Sequence, residues 1–260
     1  MLNIKDAVAV ITGGASGIGL ALAHYWAKQG GKLVLGDIAE TPLKEAAEQI
    51  RGETATVVCD VTQEADCERL AATAIERFGK INLVAPFAGI IKDGLMLKIE
   101  KTGKVTGKMP IEDFRSVINI NLTGVFLTVR ECAEQMINHD CTGLICLISS
   151  TGSLGTAGQI SYSATKAANS VMPRVITAEF FRRNVAHRIR CLAVAPGYVG
   201  TPMVRSMPQR VQDKIVEQVP IGRLIEPEEV AAFVGELFRN EALAGDVFFI
   251  HGGLRLGSKG

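Results

Sequence analysis

VAVITGGASGIG, residues 8–19, joins a short apolar run to a glycine-rich turn. Its first five residues are small or β-branched, which is typical of a parallel strand covered on both faces. Gly13, Gly17 and Gly19 follow, and an amphipathic segment begins at Gly17. Backbone N–H groups at such a turn can approach a pyrophosphate, where the helix dipole favours negative charge. The stretch predicts a buried strand, a phosphate-binding turn and a helix, with an ordinary tight turn as the alternative.

The same alternation continues through all 260 residues. Short runs rich in Val, Ile and Leu predict further strands at 32–37, 56–60, 81–85, 143–149, 188–194 and 246–250. Longer segments predict helices at 17–29, 42–50, 63–78, 111–138, 161–183 and 227–239. This order predicts an α/β fold, a Rossmann-like doubly wound parallel sheet of about seven strands with helices on both faces. We expect one domain over residues 1–260.

Two stretches interrupt the alternation. Residues 92–110 are polar and contain three glycines, so they are predicted to form a loop. Residues 201–220 combine apolar positions with Pro202 and Pro208, which predicts one or two short helices. Ligands bind outside the carboxyl ends of the strands in such sheets, so these helices form either a lid over the site or a surface hairpin.

Composition disfavours several function classes. The net charge is +1 and 47% of the residues are hydrophobic, so a basic surface for nucleic acid is not expected. No apolar run reaches the ~18–20 residues of a membrane span, and residues 1–12 do not resemble a signal peptide. The six cysteines form no CxxC pair, so reduced thiols and no metal site are expected. These features predict a soluble, cytoplasmic protein.

Acidic residues follow the second and third predicted strands. The carboxylate of Asp37, followed by Ile38, can accept hydrogen bonds from adenosine ribose hydroxyls and would repel a 2′-phosphate. In that position it favours NAD(H) over NADP(H), although a turn or helix-capping role is the alternative. Asp60-Val61 follows the third predicted strand, where Asp60 either contributes to the site or caps the following helix.

A pair of ionisable residues opens the helix predicted at 161–183. Tyr162 and Lys166 are four positions apart and therefore share one helix face. A free tyrosine is a poor base at neutral pH, and a nearby ammonium lowers its pKa. Tyr162 could then exchange a proton with a substrate oxygen. Ser149 and Ser150, which end a predicted strand upstream, could each donate a hydrogen bond to that oxygen.

These motifs together resemble the short-chain dehydrogenase/reductase family. The glycine turn has its TGxxxGxG spacing, YxxxK follows, and Pro196-Gly197-Tyr198-Val199-Gly200-Thr201 resembles its PGxxxT stretch. The resemblance favours Ser149 over Ser150, by spacing to Tyr162, and implies that Asn121 supports a proton path to Lys166. It also implies a homotetramer. The cofactor contacts that it implies, with those above, are Gly13, Ser16, Gly17, Ile18, Gly19, Asp37, Ile38, Asp60, Val61, Ala88, Gly89, Tyr162, Lys166, Pro196, Gly197, Val199 and Thr201.

Within the family, the sequence is most similar to 3-oxoacyl-[acyl-carrier-protein] reductases and 3-hydroxyacyl-thioester dehydrogenases. This similarity implies a thioester substrate, with steroids, sugars, polyols or a non-catalytic NAD-binding regulator as alternatives. Phe87 departs from the family, which has asparagine there; it either alters cofactor binding or fills core space. Lysines at 98, 101, 104 and 108 either meet coenzyme A or carrier-protein phosphates or belong to a solvated loop.

Overall fold

The computed structural model describes residues 1–254. In this part of the chain, one parallel sheet has seven strands in the order β3-β2-β1-β4-β7-β8-β9. Its strands are β1 (Val8–Thr12), β2 (Lys32–Asp37), β3 (Thr54–Val58), β4 (Leu83–Pro86), β7 (Gly143–Ile148), β8 (Ile189–Pro196) and β9 (Val247–Ile250). A separate antiparallel pair is formed by β5 (Leu97–Ile99) and β6 (Val105–Lys108). The predicted α/β class and parallel sheet are confirmed.

Helices connect the strands. They are α1 (Gly17–Lys28), α2 (Glu40–Gln49), α3 (Glu64–Phe78), α4 (Ile111–Ile118), α5 (Val125–Asn138), α6 (Ile160–Arg182), α7 (Pro202–Arg205), α8 (Gln209–Val216) and α9 (Pro227–Arg239). A π-helical turn, Asn119–Gly124, lies between α4 and α5, and a 3₁₀ turn, Thr151–Leu154, lies between β7 and α6. The single helix predicted at 111–138 is therefore interrupted by a wider turn.

Two hydrophobic layers cover the sheet because successive side chains of a strand point to opposite faces. In β1, Ala9 and Ile11 belong to the layer that includes Trp26 of α1 and Val234 of α9. Val8 and Val10 belong to the opposite layer, with side chains of α3 and α5. Every residue of β1 is buried, which accounts for its uninterrupted apolar sequence.

The sheet order reverses at β1. From this strand the chain builds outward through β2 to β3 on one side, and through β4 to β7 on the other. The connections after β1 and β4 leave in opposite directions, which opens a crevice at their carboxyl ends. The N–H of Ala88, just after β4, donates to the hydroxyl of Thr12 at 3.3 Å and links the two strand ends.

The prediction of a loop over 92–110 is wrong. Residues 97–108 form the β5–β6 hairpin, with a register shift between Lys98 and Ile99. Its strands have only three and four residues, and its side chains are mostly exposed, so neither length nor alternation marked it in the sequence. The segment before it is tied to the start of α6, because the Gly94 N–H donates to the Gly158 carbonyl at 2.7 Å.

The prediction of short helices over 201–220 agrees with α7 and α8. Residues of α7 reach the crevice, where Pro202, Met203 and Val204 line it. Arg205 fixes the end of α7, since its Nε donates to the Gly200 carbonyl at 2.8 Å and its Nη2 lies 2.6 Å from Glu226 Oε2.

Candidate active site

A cavity of about 460 Å³ occupies the crevice. Every cofactor contact proposed from the sequence lines it: Gly13, Ser16, Gly17, Ile18, Gly19, Asp37, Ile38, Asp60, Val61, Ala88, Gly89, Tyr162, Lys166, Pro196, Gly197, Val199 and Thr201. These residues come from six separate connections of the sheet, and the fold brings them to one edge. Their location agrees with the predicted site, and their individual roles remain predictions.

The glycine turn fits a pyrophosphate by its lack of side chains. A Cβ at Gly19 would lie 2.2 Å from the Gly13 carbonyl oxygen, and one at Gly13 would lie 2.9 Å from the Ala88 nitrogen. Gly13 also has φ +68°, a conformation that favours glycine. The backbone can therefore approach a ligand at the start of α1, where the helix dipole favours an anion.

Asp37 lies at the end of β2 beside this turn. Its Oδ2 accepts the N–H of Ala15 at 3.1 Å, and its Oδ1 accepts the N–H of Ala39 at 3.1 Å. Two backbone bonds thus fix the carboxylate at the cavity edge, and its remaining lone pairs are available to ribose hydroxyls. Asp37 thus forms a turn and does not cap α2, whose N-cap is Ala39, and this turn is compatible with the predicted ribose contact.

Asp60 does not cap α3, because the N-cap position of that helix is Gln63 and no side chain caps it. Its Oδ1 accepts the N–H and the hydroxyl of Thr62, at 2.9 and 2.8 Å, which forms a local turn. The residue still lines the cavity together with Val61. The turn orients Asp60, and its other carboxylate oxygen is available to an adenine amino group.

Tyr162 and Ser150 meet at the substrate end of the cavity. A Cβ added to Gly152 would lie 3.3 Å from Tyr162 Cε1 and 3.4 Å from Ser150 Oγ, so both groups border one small space. Burial raises the pKa of Tyr162, the Ser150 hydroxyl lowers it, and the carboxylate of Asp93 raises it. Ser150 Oγ also accepts the N–H of Gly152 at 3.0 Å, which fixes its orientation.

The geometry bears on the choice between Ser149 and Ser150, both of which line the cavity. The Ser149 hydroxyl is 2.9 Å from the Lys166 carbonyl, to which it donates, and 2.7 Å from Ser170 Oγ. It is directed at the backbone of α6, and its side chain is buried. The geometry favours Ser150 as the hydroxyl beside Tyr162. Both serines follow β7, which ends at Ile148, and spacing to Tyr162 favoured the serine whose hydroxyl is directed at α6.

Lys166 lies beneath Tyr162 on α6. Its ammonium is 5.5 Å from the centre of the Tyr162 ring and donates to the Ile148 carbonyl at 3.0 Å. Burial lowers the pKa of Lys166 to about 8. The sequence argument expected this ammonium to lower the pKa of Tyr162, whereas burial dominates and raises it. The ammonium faces the ring rather than the hydroxyl, which accounts for the difference.

Asn121 lies behind the cavity in the π-helical turn. Its Oδ1 accepts the N–H of Ile90 and its Nδ2 donates to the carbonyl of Ile90, both at 2.8 Å. The side chain therefore braces the segment after β4, whose residues Ala88, Gly89 and Ile90 line the cavity. The Asn121 backbone carbonyl, which accepts from Asn169 Nδ2 at 3.2 Å, faces α6. Any link to Lys166 runs through this carbonyl rather than through the amide.

Phe87 fills core space, and its effect on cofactor binding stays a prediction. The ring packs against the layer that contains Trp26 and Leu35, and it also lines the cavity. Asp93 was not anticipated as part of the site, since it lies in the segment predicted to be a loop. Its Oδ2 accepts from Gln159 Nε2 at 3.0 Å, which places a carboxylate near Tyr162.

All six cysteines are reduced and buried. In residues 1–254, no group of three or more His, Cys, Asp or Glu side chains is placed to hold a metal ion. No helix in this part of the chain combines the length and the apolar character needed to cross a bilayer.

Comparison with known proteins agrees with this geometry. A family profile described as short chain dehydrogenase matches residues 7–212. The 3-oxoacyl-[acyl-carrier-protein] reductase of Thermotoga maritima is 31% identical over 258 residues, covering 97% of this chain and 99% of the relative. The 3-hydroxyacyl-CoA dehydrogenase type-2 of Drosophila melanogaster is 35% identical over 260 residues, with coverage of 97% and 99%.

A third relative has a different substrate in its name. The 2,5-dichloro-2,5-cyclohexadiene-1,4-diol dehydrogenase of Sphingobium indicum is 32% identical over 232 residues, covering 88% of this chain and 87% of the relative. The chain belongs to the short-chain dehydrogenase/reductase family. It is an oxidoreductase that acts on CH–OH groups, in a family that typically uses a nicotinamide cofactor.

Proposed function

We propose that the protein is an NAD(H)-dependent oxidoreductase that interconverts a 3-hydroxyacyl and a 3-oxoacyl thioester. The catalytic part of this proposal rests on one observation: Tyr162 and Ser150 lie side by side above the buried ammonium of Lys166. All three line the cavity that also contains the glycine turn.

Each polar group has a role in proton transfer. A bound nicotinamide would supply or accept the hydride. The Ser150 hydroxyl donates a hydrogen bond to the substrate oxygen and stabilises charge that develops there. In reduction the Tyr162 hydroxyl gives its proton to that oxygen, and in oxidation the Tyr162 phenolate accepts the proton from it. Lys166 replenishes the proton and holds the nicotinamide ribose, and the Asn121 backbone carbonyl supports this relay.

The cofactor preference is proposed from Asp37. Its carboxylate is held by two backbone N–H groups, so it cannot move away from a 2′-phosphate without losing both bonds. The loop positions Ala15 and Ser16 supply no positive charge to compensate. Repulsion between the carboxylate and the phosphate favours NAD(H).

The thioester substrate is supported by the names of two relatives and by the β5–β6 hairpin. Lys98, Lys101, Lys104 and Lys108 are all exposed on this hairpin. The segment that precedes it, through Ile90 and Ile91, lines the cavity. Lysines in this place can attract the phosphates of coenzyme A or of an acyl-carrier protein.

The direct test measures oxidation of NADH and of NADPH with acetoacetyl-CoA. We expect turnover with NADH and little with NADPH. Turnover mainly with NADPH would refute the cofactor proposal. If neither cofactor supports turnover, the thioester proposal fails, and secondary alcohols such as polyols and steroids become the substrates to test.

A second comparison isolates the hairpin. Acetoacetyl-pantetheine has the same reacting group as acetoacetyl-CoA but lacks the nucleotide phosphates. Changing Lys98 and Lys104 to Glu should raise the KM for acetoacetyl-CoA and leave that for acetoacetyl-pantetheine unchanged. Equal effects on both substrates would show that the hairpin does not contact the phosphates.

We also propose a homotetramer. Exposed apolar side chains on α5 and α6, among them Phe126, Val171 and Val175, offer surfaces for pairing these helices between subunits. Sedimentation velocity should give a tetramer, and a monomer would contradict the proposal. The cytoplasmic location stays a prediction.

A further inference from the structure

Asn169 is a fully buried polar residue one turn beyond Lys166 on α6. Its Nδ2 donates to two backbone carbonyls, that of Asn121 at 3.2 Å and that of Ile148 at 3.3 Å. The first belongs to the π-helical turn and the second ends β7. One amide group therefore links two separate elements behind the cavity.

The Ile148 carbonyl is shared with the proposed relay. It also accepts the hydrogen bond of the Lys166 ammonium, at 3.0 Å. Within residues 1–254, this carbonyl is the hydrogen-bond acceptor of the ammonium. Any movement of the Ile148 carbonyl would consequently move the ammonium.

The other atom of the amide has no partner within residues 1–254. Asn169 Oδ1 is buried and makes no hydrogen bond, which is unfavourable because its desolvation is uncompensated. An amide flip would not remove the problem, since it would place Oδ1 against two carbonyl oxygens. A buried asparagine with one unsatisfied atom is a poor choice for stability alone.

We propose that Asn169 is a positioning residue for proton transfer, holding the Asn121 and Ile148 carbonyls so that the Lys166 ammonium stays beneath Tyr162. This inference rests on the proposed function, because it assumes that Lys166 and Asn121 belong to the proton relay. Asn169 itself does not line the cavity, so it acts through these two groups.

The two N–H groups of the amide have separate effects. The bond to Asn121 fixes the backbone of the π-helical turn, a type of irregularity that is frequent at functional sites. The bond to Ile148 competes with the ammonium for the same carbonyl and weakens the hydrogen bond that stabilises the charged form of Lys166. Removal of the amide should therefore raise the pKa of Lys166.

The titration of this ammonium is read together with that of two titratable groups. Tyr162, on the same helix, contacts the ammonium with its ring, and Asp93 faces Tyr162 from the segment that follows β4. Burial lowers the pKa of Lys166.

The experiment uses Asn169→Leu, which keeps the approximate size and removes the amide, and Asn169→Ser, which is smaller and keeps one hydrogen-bond donor. The matched control is Thr128→Val. Thr128 is equally buried and donates to the Gly124 carbonyl at 2.8 Å, so it removes a comparable bond from the same region without touching the two carbonyls.

Two readouts are measured for the full-length protein. Steady-state kinetics with NADH and acetoacetyl-CoA give kcat and KM. The titration of Lys166 is followed in the cofactor-free protein by NMR of ¹³C-labelled lysine, with the resonance assigned by its absence from Lys166→Met. Circular dichroism establishes that each variant is folded.

In Asn169→Leu we expect a fall in kcat of about tenfold, part of the ~10²–10⁴-fold that acid–base catalysis contributes, with the KM for NADH unchanged. The Lys166 pKa should rise, and Asn169→Ser should lie between Leu and wild type. If Asn169→Leu does not fold, the kcat and the Lys166 titration of Asn169→Ser decide the test. Folded variants whose kcat and Lys166 titration match those of Thr128→Val would overturn the inference.

Failure of the proposed function gives a different pattern. In that case the wild-type protein turns over no thioester with either cofactor. The Lys166 titration, which needs no substrate, would still test whether Asn169 positions the ammonium, and an unaltered titration would refute it.

Discussion

Two parts of the cavity are built in different ways: the part around the glycine turn, proposed to bind the cofactor (the cofactor half), and the part around Tyr162, proposed to bind the substrate (the substrate half). In the cofactor half, the glycine turn and Asp37 are fixed by backbone atoms close in the chain or on adjacent strands. In the substrate half, Tyr162 depends on Ser150 from the end of β7 and on Asp93 from the segment after β4. The residues of the cofactor half can be recognised from their spacing in the sequence. The residues of the substrate half are brought together by packing between segments that are distant in the chain.

This difference indicates which substitutions should have large effects in each half of the cavity. A glycine turn tolerates no side chain at Gly19, because the Cβ would overlap a carbonyl oxygen. The substrate half instead depends on which of two adjacent serines directs its hydroxyl toward Tyr162. Ser149 Oγ is held by Ser170 and the α6 backbone, whereas Ser150 Oγ lies beside Tyr162.

The largest expected effect tests the substrate half directly. Tyr162→Phe removes the hydroxyl that exchanges the proton, so kcat should fall by about 10²–10⁴-fold while NADH affinity is largely kept. Steady-state kinetics and fluorescence titration with NADH measure the two quantities. Tyr25→Phe, on α1 away from the cavity, is the control. Near-normal turnover of Tyr162→Phe would refute its assignment as the acid–base group.

The two serines give the next largest effect and the sharpest test of the comparison. Ser150→Ala should lower kcat by about 10²–10³-fold, as expected for loss of a hydrogen bond to developing charge. Ser149→Ala should have a much smaller effect, because its hydroxyl binds Ser170 and the α6 backbone. The reverse order, measured under identical conditions, would restore Ser149 as the substrate-binding serine.

The sequence predicts the sheet, the main helices and the cavity edge because each depends on local apolar patterning or on glycine spacing. The hydrogen bond between Ser150 and Tyr162, the bracing of Ile90 by Asn121 and the position of Asp93 near Tyr162 could not be predicted in this way. They depend on side-chain directions and on contacts between residues far apart in the chain. The β5–β6 hairpin was missed for another reason, since its short exposed strands leave no hydrophobic period.

A stability experiment measures the free-energy cost of burying the Lys166 ammonium separately from its effect on activity. The pKa of Lys166 is lowered from 10.5 to about 8 by burial, so between these values the unfolded chain binds more protons than the folded one. Folding stability should therefore rise with pH across this window, by at most about 3 kcal/mol from this group. Below pH 8 the full cost of burying the ammonium is present.

Lys166→Met removes this charge and should abolish that rise. Urea unfolding at pH 7 and pH 10 measures the difference between the variant and the wild type, which cancels the contribution of other titrating groups. We expect Lys166→Met to be inactive and, relative to wild type, more stable at pH 7 than at pH 10. An equal pH dependence in both proteins would show that Lys166 is not buried as an ammonium.

The smallest expected effect lies in the cofactor half, at Asp37. Asp37→Ser removes the charge that repels a 2′-phosphate, so the ratio of kcat/KM for NADPH to that for NADH should rise about tenfold, equivalent to about 1.4 kcal/mol. Asp37→Glu is the matched control because it keeps the charge, and it should retain the preference for NADH. If both variants change the ratio equally, the preference comes from the shape of the turn rather than from charge. In that case the backbone geometry of the glycine turn would determine the cofactor preference of the cofactor half. In the substrate half, by comparison, the direction of the side chain determines which serine we propose as catalytic.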